Sequence, residues 1–197
     1  MITVIYKRFK SIKQCFYILL NRFVFHLRGY SYGNNMRIYN KLYVIGKGTI
    51  TIGNNLLFTS GSSINPIARN ICGSLYTSPS GHIEIGDNVG ISSACIWSDL
   101  KISIGNNVNI GADSIIIDTD VHSLDYIERR NVKSKQNIKS QPIVIEDDVW
   151  IGARCQILKG VTIGARSVIG AGSIVTKNIP PDSIAAGNPC KVIRNIN

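Results

Sequence analysis

The sequence predicts an all-β solenoid of stacked three-sided coils, preceded by an amphipathic helix and broken once by an inserted loop. Three observations carry this prediction. Every sixth residue from Ile145 to Val175 is aliphatic: Ile145, Ile151, Ile157, Ile163, Ile169 and Val175. Neither a helix, with a period of about 3.6, nor a strand, with a period of about 2.0, produces that spacing, so it marks a six-residue internal repeat. Turn-forming triplets recur at matching places, with Gly53-Asn54-Asn55 after Ile52, Gly86-Asp87-Asn88 after Ile85 and Gly105-Asn106-Asn107 after Ile104. The rhythm then stops between Ile116 and Ile143 and resumes afterwards.

In chain order, the helix comes first. In residues 4–28, Ile5, Phe9, Ile12, Phe16, Leu19, Leu20, Phe23 and Leu27 recur at steps of three and four, with Lys7, Arg8, Lys10, Lys13 and Arg22 among them. This is the pattern of an amphipathic helix. The apolar run at Tyr17–Leu20 is cut by Asn21-Arg22 and is too short to span a bilayer, and no small-residue cleavage site follows. Two partners suit the apolar face. It packs on the end of the solenoid or on a neighbouring subunit, covering strand edges, or it rests on an anionic membrane surface.

Residues 1–43 are expected to form this helical segment and a linker, and residues 44–197 the solenoid. Each repeat places its first, aliphatic residue inward, where it stacks on its counterparts above and below. The compact fifth residues Val149, Cys155, Val161, Ser167 and Ser173 belong to the corners, where Gly and Asn permit left-handed backbone. Upstream, Ile85 and Ile91, Ile104 and Ile110, and a weaker set at Ile52, Phe58 and Ile64 open further units.

The stretch WIGARCQILKGVTIGARSVIGAGSIVTKNIPPDSIAAGNPCKVIRNIN resembles the hexapeptide-repeat acyltransferases, in particular the galactoside and maltose acetyltransferase branch. The likeness covers roughly residues 44–197. It implies a left-handed parallel β-helix with an N-terminal amphipathic helix, an inserted loop at about 118–142 and a short C-terminal tail. Spacing alone does not set the hand. It also implies a homotrimer, acetyl-CoA as co-substrate and no metal.

An insertion adds nothing to a repeat array, so the break is where binding or catalysis is expected. It holds His122, in DTDVHSLD. Imidazole accepts and returns a proton near neutrality, and the resemblance assigns His122 as general base. Asp118 and Asp120, four and two residues ahead, share its face if the segment stays extended, and either of them, or Asp125, orients the ring. By the same correspondence the Ala153 amide holds the developing oxyanion and Trp150 lines the meeting point of pantetheine and acceptor, unless it is an outward subunit contact. Gly152, Ala153 and Ala171 flank the pantetheine arm, and Thr176, Lys177, Lys191 and Arg194 gather at the nucleotide end.

Two departures bear on specificity. Lys191 stands where the galactoside branch has Arg, which keeps the charge and loses the bidentate fork. Ser92 stands where that branch has an acceptor-binding Asn, which weakens galactosides and maltose as acceptors. The combination GISSACI, IIDTDVHSLD and ERR looks more like the acetyltransferases of bacterial capsule and lipopolysaccharide assembly, with Glu128, Arg129 and Arg130 available to an acidic or phosphorylated saccharide. The expected activity is therefore saccharide O-acetylation, with amino-sugar N-acetylation as the nearest rival and a non-catalytic trimeric scaffold as the other alternative.

Charge and cysteine usage narrow the setting. The net charge is +10, and residues 1–83 carry ten Lys or Arg and no acid, while residues 84–197 carry twelve of each sign. No groove-reading or RNA motif accompanies the excess, so nucleic acid is not the expected partner. Cys15, Cys72, Cys95, Cys155 and Cys190 form neither a paired framework nor a metal-type spacing, which fits reduced thiols and a cytoplasmic setting, at the inner face of the membrane if the helix binds lipid. His82 and His122 are too few and too far apart for the three-histidine zinc site of a gamma-type carbonic anhydrase.

Overall fold

The computed structural model describes residues 2–61, 64–68, 71–131 and 137–196, with side chains from residue 11 onward. After α1 (Ile2–Leu27) the chain winds through six coils, each laying one short strand on each of three faces. The first face stacks Ser31–Tyr32, Thr49–Ile52, His82–Ile85, Lys101–Ile104, Ile143–Ile145 and Thr162–Ile163; the second begins with Arg37–Tyr39, Leu57–Thr59, Gly90–Ser92, Asn109–Ile110, Trp150–Ile151 and Val168–Ile169. The third stacks Tyr43–Gly46, Ser74–Thr77, Cys95–Ser98, Ile115–Ile117, Gln156–Leu158 and Ile174–Val175. The pairing between coils is parallel throughout.

The register explains the six-residue rule. Ile52, Ile85, Ile104, Ile145 and Ile163 stack in one column, and Leu75, Ile96, Ile116, Ile157 and Val175 in another. All are buried. Each column is a continuous apolar core only one side chain wide. The fifth-position residues Val149, Cys155, Val161, Ser167 and Ser173 are buried as well.

The corners divide the work that the sequence assigned jointly to Gly and Asn. The left-handed residue is the last of the triplet, Asn55, Asn88 or Asn107, at φ 61°, 58° and 57°. Their carboxamides hydrogen-bond one another along the corner, Asn55 to Asn88 at 2.9 Å and Asn88 to Asn107 at 3.2 Å. Glycine at the head of a corner serves close approach instead. A Cβ on Gly111 would lie 2.4 Å from the Ala153 nitrogen, and one on Gly152 would lie 2.6 Å from the Ala171 nitrogen.

Three expectations need correction. The solenoid starts at Ser31, so the segment ahead of residue 44, expected as linker, is the first coil. Ile64 does not occupy a core column; the chain leaves the second face after Thr59, passes through a short 3-10 turn at Pro66–Ala68, and Leu75 takes the inward place. The third correction concerns α1. Its docked side is Asn21 and Phe25, not the regular apolar stripe: the Asn21 amide donates to the Ile38 and Asn40 carbonyls, Arg22 donates to the Met36 carbonyl, and Phe25 is buried edge-on against Tyr30 and Tyr32. A polar residue wins this face because the first coil presents unpaired strand carbonyls that need donors.

The last coil is closed by a hairpin. Ser183–Gly187 continues the second face beside Val168–Ile169 and pairs antiparallel with Cys190–Asn195. Cys155 and Cys190 are buried under this end, and burial pushes both thiols above the usual cysteine range. A thiol that is both enclosed and protonated alkylates slowly. Iodoacetamide at neutral pH is therefore expected to modify exposed Cys15 and spare Cys155 and Cys190 until denaturant is added, as read by peptide mass mapping; early labelling of Cys155 would contradict its packing role.

Candidate active site

The inserted loop leaves the third face after Ile117 and returns to the first face at Ile143. Its neck is tied by backbone hydrogen bonds, Asp120 N–H to Lys139 and Gln141 N–H to Asp118, and by an antiparallel bridge between Thr119 and Ser140. Residues 132–136, in the middle of the loop, lie outside the described residues.

The three candidate orienting carboxylates each have another task. Asp118 is fully buried and accepts from the Ser98 hydroxyl at 2.9 Å and from the Asp99 and Leu100 backbone N–H groups at 2.7 and 2.9 Å. It therefore closes the corner of the preceding coil. Asp125 caps α2 (Tyr126–Arg130), accepting from the Ile127 and Glu128 N–H groups. Asp120 pairs through Oδ1 with Lys159 of the next coil, while its Oδ2 is buried without a hydrogen-bond partner among the described residues. The segment is not extended, as the shared-face argument required. Val121 has φ 63°, and the His122 N–H bonds the Asp120 carbonyl across it at 2.6 Å, a γ-turn.

Left-handed backbone at a β-branched residue is strained and persists only when its surroundings impose it. Here the Asp120–Lys159 pair and the tied neck sit on one side of the turn, and on the other the Ser123 hydroxyl donates to Glu128 while Arg129 donates to the Ser123 and Leu124 carbonyls. The turn projects His122 into solvent, with no side-chain partner among the described residues. Arg129 and Glu128, expected to grip substrate, are thus committed to the loop's own structure, and Arg130 lies over the Tyr126 ring at 5.3 Å.

The other candidates collect elsewhere. A groove of about 400 Å³ runs over the second face and its corner with the third, lined among others by Ser92, Trp150, Gly152, Ala153 and Ala171. A smaller hollow of about 230 Å³ shares Ser92 and Trp150 with it. Trp150 is 58% exposed, and its ring is available along the wall.

The corner chemistry changes here. Between the first and second faces, the second residue of three successive corners is covered by the coil above: Asn54 N–H donates to Asp87, Asp87 N–H to Asn106, and Asn106 N–H to Asp147. Between the second and third faces the corresponding residues are Ala112, Ala153 and Ala171, which carry no acceptor. The Ala153 and Ala171 N–H groups consequently have no hydrogen-bond partner among the described residues, and they border the groove.

Asn65 and Ile67 are among the lining residues that the sequence did not single out. Asn65 donates to the Ser92 hydroxyl at 2.7 Å, and Ile67 borders the groove beside Ala153. Both come from the excursion after Thr59, whose turn-rich SGSSINP composition was the available signal. Thr176 and Lys177 follow the last strand of the third face, and Lys191 and Arg194 lie on the outer strand of the closing hairpin. All four are exposed, and none of the three cations has a carboxylate partner among the described residues.

Within one chain, then, the groove residues come together and His122 does not join them. The loop springs from the edge between third and first faces, whereas Ala153 lies at the opposite edge of the third face.

Three faces of short parallel strands stacked at a six-residue period define a hexapeptide-repeat β-helix by class. Residues 142–177 match the family model of the bacterial transferase hexapeptide (six repeats), and residues 101–120 that of the hexapeptide repeat of succinyl-transferase. Over these segments the chain is similar to hexapeptide-repeat transferases, and its fold is the left-handed parallel β-helix.

Over 124 residues it is 44% identical to the galactoside O-acetyltransferase of Escherichia coli, a match covering 62% of this chain and 59% of that one. Over 116 residues it is 42% identical to a putative acetyltransferase of Schizosaccharomyces pombe, covering 58% and 54%. The chain thus spans less than two thirds of the length of these relatives. Among solved structures, a hexapeptide-repeat-containing acetyltransferase from Vibrio cholerae superposes with TM-score 0.54 at 28% identity, over 84% of this chain and 73% of that one. The N-acyltransferase AntD from Bacillus cereus, in complex with dTDP and 3-hydroxybutyryl-CoA, reaches TM-score 0.69 at 20% identity over 88% and 87%, a likeness of fold alone.

Proposed function

We propose that the chain is an acetyl-CoA-dependent O-acetyltransferase whose acceptor is a saccharide of cell-surface polysaccharide assembly, working in the cytoplasm as a homotrimer. The observation that carries this reading is the pair of amides at Ala153 and Ala171 that have no hydrogen-bond partner among the described residues and border a groove of about 400 Å³. Such donors suit the amide oxygens of pantetheine and the oxyanion of a thioester under attack. Lys177, Lys191 and Arg194 supply unneutralised charge for the CoA phosphates. Relatives named as acetyltransferases support the same class.

In this mechanism a ring nitrogen of His122 takes the proton of the acceptor hydroxyl as its oxygen bonds to the thioester carbonyl carbon. The carbonyl oxygen gains charge against the Ala153 N–H. The C–S bond then breaks, and the departing CoA thiolate receives the proton held on His122. The products are the acetyl ester and free CoA, with no acyl-enzyme.

The trimer is supported by the outward side of the third face. Tyr43, Ile45 and Ile115 are exposed there, beside the Tyr76 and Trp97 rings, which pack at a tilt with centroids 4.1 Å apart. Turning three such faces toward a common axis buries them and sets the His122 edge of one copy against the Ala153 edge of the next. Base and groove then meet between subunits. Acetyl-CoA hydrolysis and transfer are tested by thiol release against hexoses, nucleotide sugars, amino sugars and capsule oligosaccharides. Saccharide-dependent release that yields an O-acetyl ester is expected; no release with any acceptor, or an amide product only, would reject the reading.

A further inference from the structure

We propose that the outer face of α1 is a docking surface for an anionic lipid bilayer, on which the helix lies flat. Ile12, Phe16, Leu19, Phe23 and Leu27 fall on one side of the helix and are each 57–67% exposed. They lie opposite Asn21 and Phe25, which hold the helix to the first coil. The helix is therefore fixed by one face and presents a second, apolar face outward. A stripe of this size left in water is an interaction site and not surface noise.

Charge selects the occupant. The helix carries Lys7, Arg8, Lys10, Lys13 and Arg22 and no acid, and the first acid of the whole chain is Glu84. Packing this face against the same helix of another copy would bring together two strongly like-charged segments, which repel. An anionic bilayer answers both properties at once: acyl chains cover the aromatic and aliphatic side chains while headgroup charge attracts the net positive charge of the segment, Arg22 being held by the Met36 carbonyl. The helix rests on the membrane and does not span it, since among the described residues no helix is long and apolar enough to cross. This surface stands apart from the proposed acetyl transfer, and its test does not depend on activity.

The test is co-sedimentation of the full chain with vesicles of phosphatidylcholine containing about 30 mol% phosphatidylglycerol, beside vesicles of phosphatidylcholine alone. The expected result is preferential pelleting with the anionic vesicles, weakened by high salt. Phe16→Glu with Phe23→Glu, at positions the fold does not use, should lower the partition coefficient at least about tenfold with an unchanged melting temperature and sedimentation coefficient. Lys10→Glu with Lys13→Glu provides a second route to the same loss through charge. Equal pelleting with both vesicle types, or equal pelleting of the wild type and both variants, would overturn the proposal. So would a smaller assembly for the Phe16→Glu, Phe23→Glu variant, because the face would then be covered by a second copy.

Discussion

His122→Ala is expected to lose at least about 10²-fold in kcat, the low end of what general-base catalysis contributes, with the KM for acetyl-CoA nearly unchanged. The split follows from position. His122 stands on the loop at one edge of the third face, and the groove that would bind CoA lies beyond the other edge. The side chain is exposed and has no hydrogen-bond partner among the described residues, so its loss should leave folding intact. A variant with wild-type turnover would remove His122 from the mechanism.

The same separation gives a test of where the site forms. Ala171→Phe fills the groove from an exposed corner position and should abolish CoA binding in its own copy. Alone, each variant is expected to keep at most about a hundredth of the wild-type activity. If base and groove come from neighbouring copies, a one-to-one mixed assembly carries both intact halves at roughly a quarter of its sites, because the two choices are independent. Recovery of activity on co-expression is therefore expected. Continued inactivity in verified mixed trimers would place both halves in one subunit, against the topology described above.

What could be read from the sequence was whatever the stacking itself imposes. Ile145, Ile151, Ile157, Ile163, Ile169 and Val175 must be aliphatic at strict spacing because each is one rung of a column a single side chain wide. Loss of that spacing after Ile116 exposed the insertion for the same reason. Ile64 misled because it holds the right spacing by coincidence while the chain has already left the coil, and Asn65 and Ile67 went unseen with it. The orientation of α1 was hidden differently. Its regular apolar stripe is the periodic signal, yet the docked face is chosen by a single Asn21 that satisfies strand carbonyls, an interaction with no periodicity. Groove residues at Ala153 and Ala171 were reached through resemblance. Their physical distinction, the missing acceptor on the coil above, becomes visible only once corners are stacked.

Asp118→Ala is expected to do the reverse of His122→Ala, lowering stability while sparing chemistry. The carboxylate is wholly buried and accepts two backbone N–H groups, from Asp99 and Leu100, together with the Ser98 hydroxyl. Ser98 can still donate to the His82 carbonyl, 3.0 Å away, so the hydroxyl is not stranded. The two amides have no such recourse in a closed corner, and leaving them unpaired costs about 3 kcal/mol in total. For a domain of this size that corresponds to a fall of roughly 6–12 °C in Tm. Asp118→Asn rescues little, because its NH2 group faces donors on at least one side. Well below the melting range, kcat of either variant should stay far closer to wild type than the roughly 10²-fold loss at His122. The opposite pattern, an unchanged Tm with a collapsed kcat, would return Asp118 to the role of orienting the imidazole and would mean that its bonds to Asp99 and Leu100 contribute little to the corner.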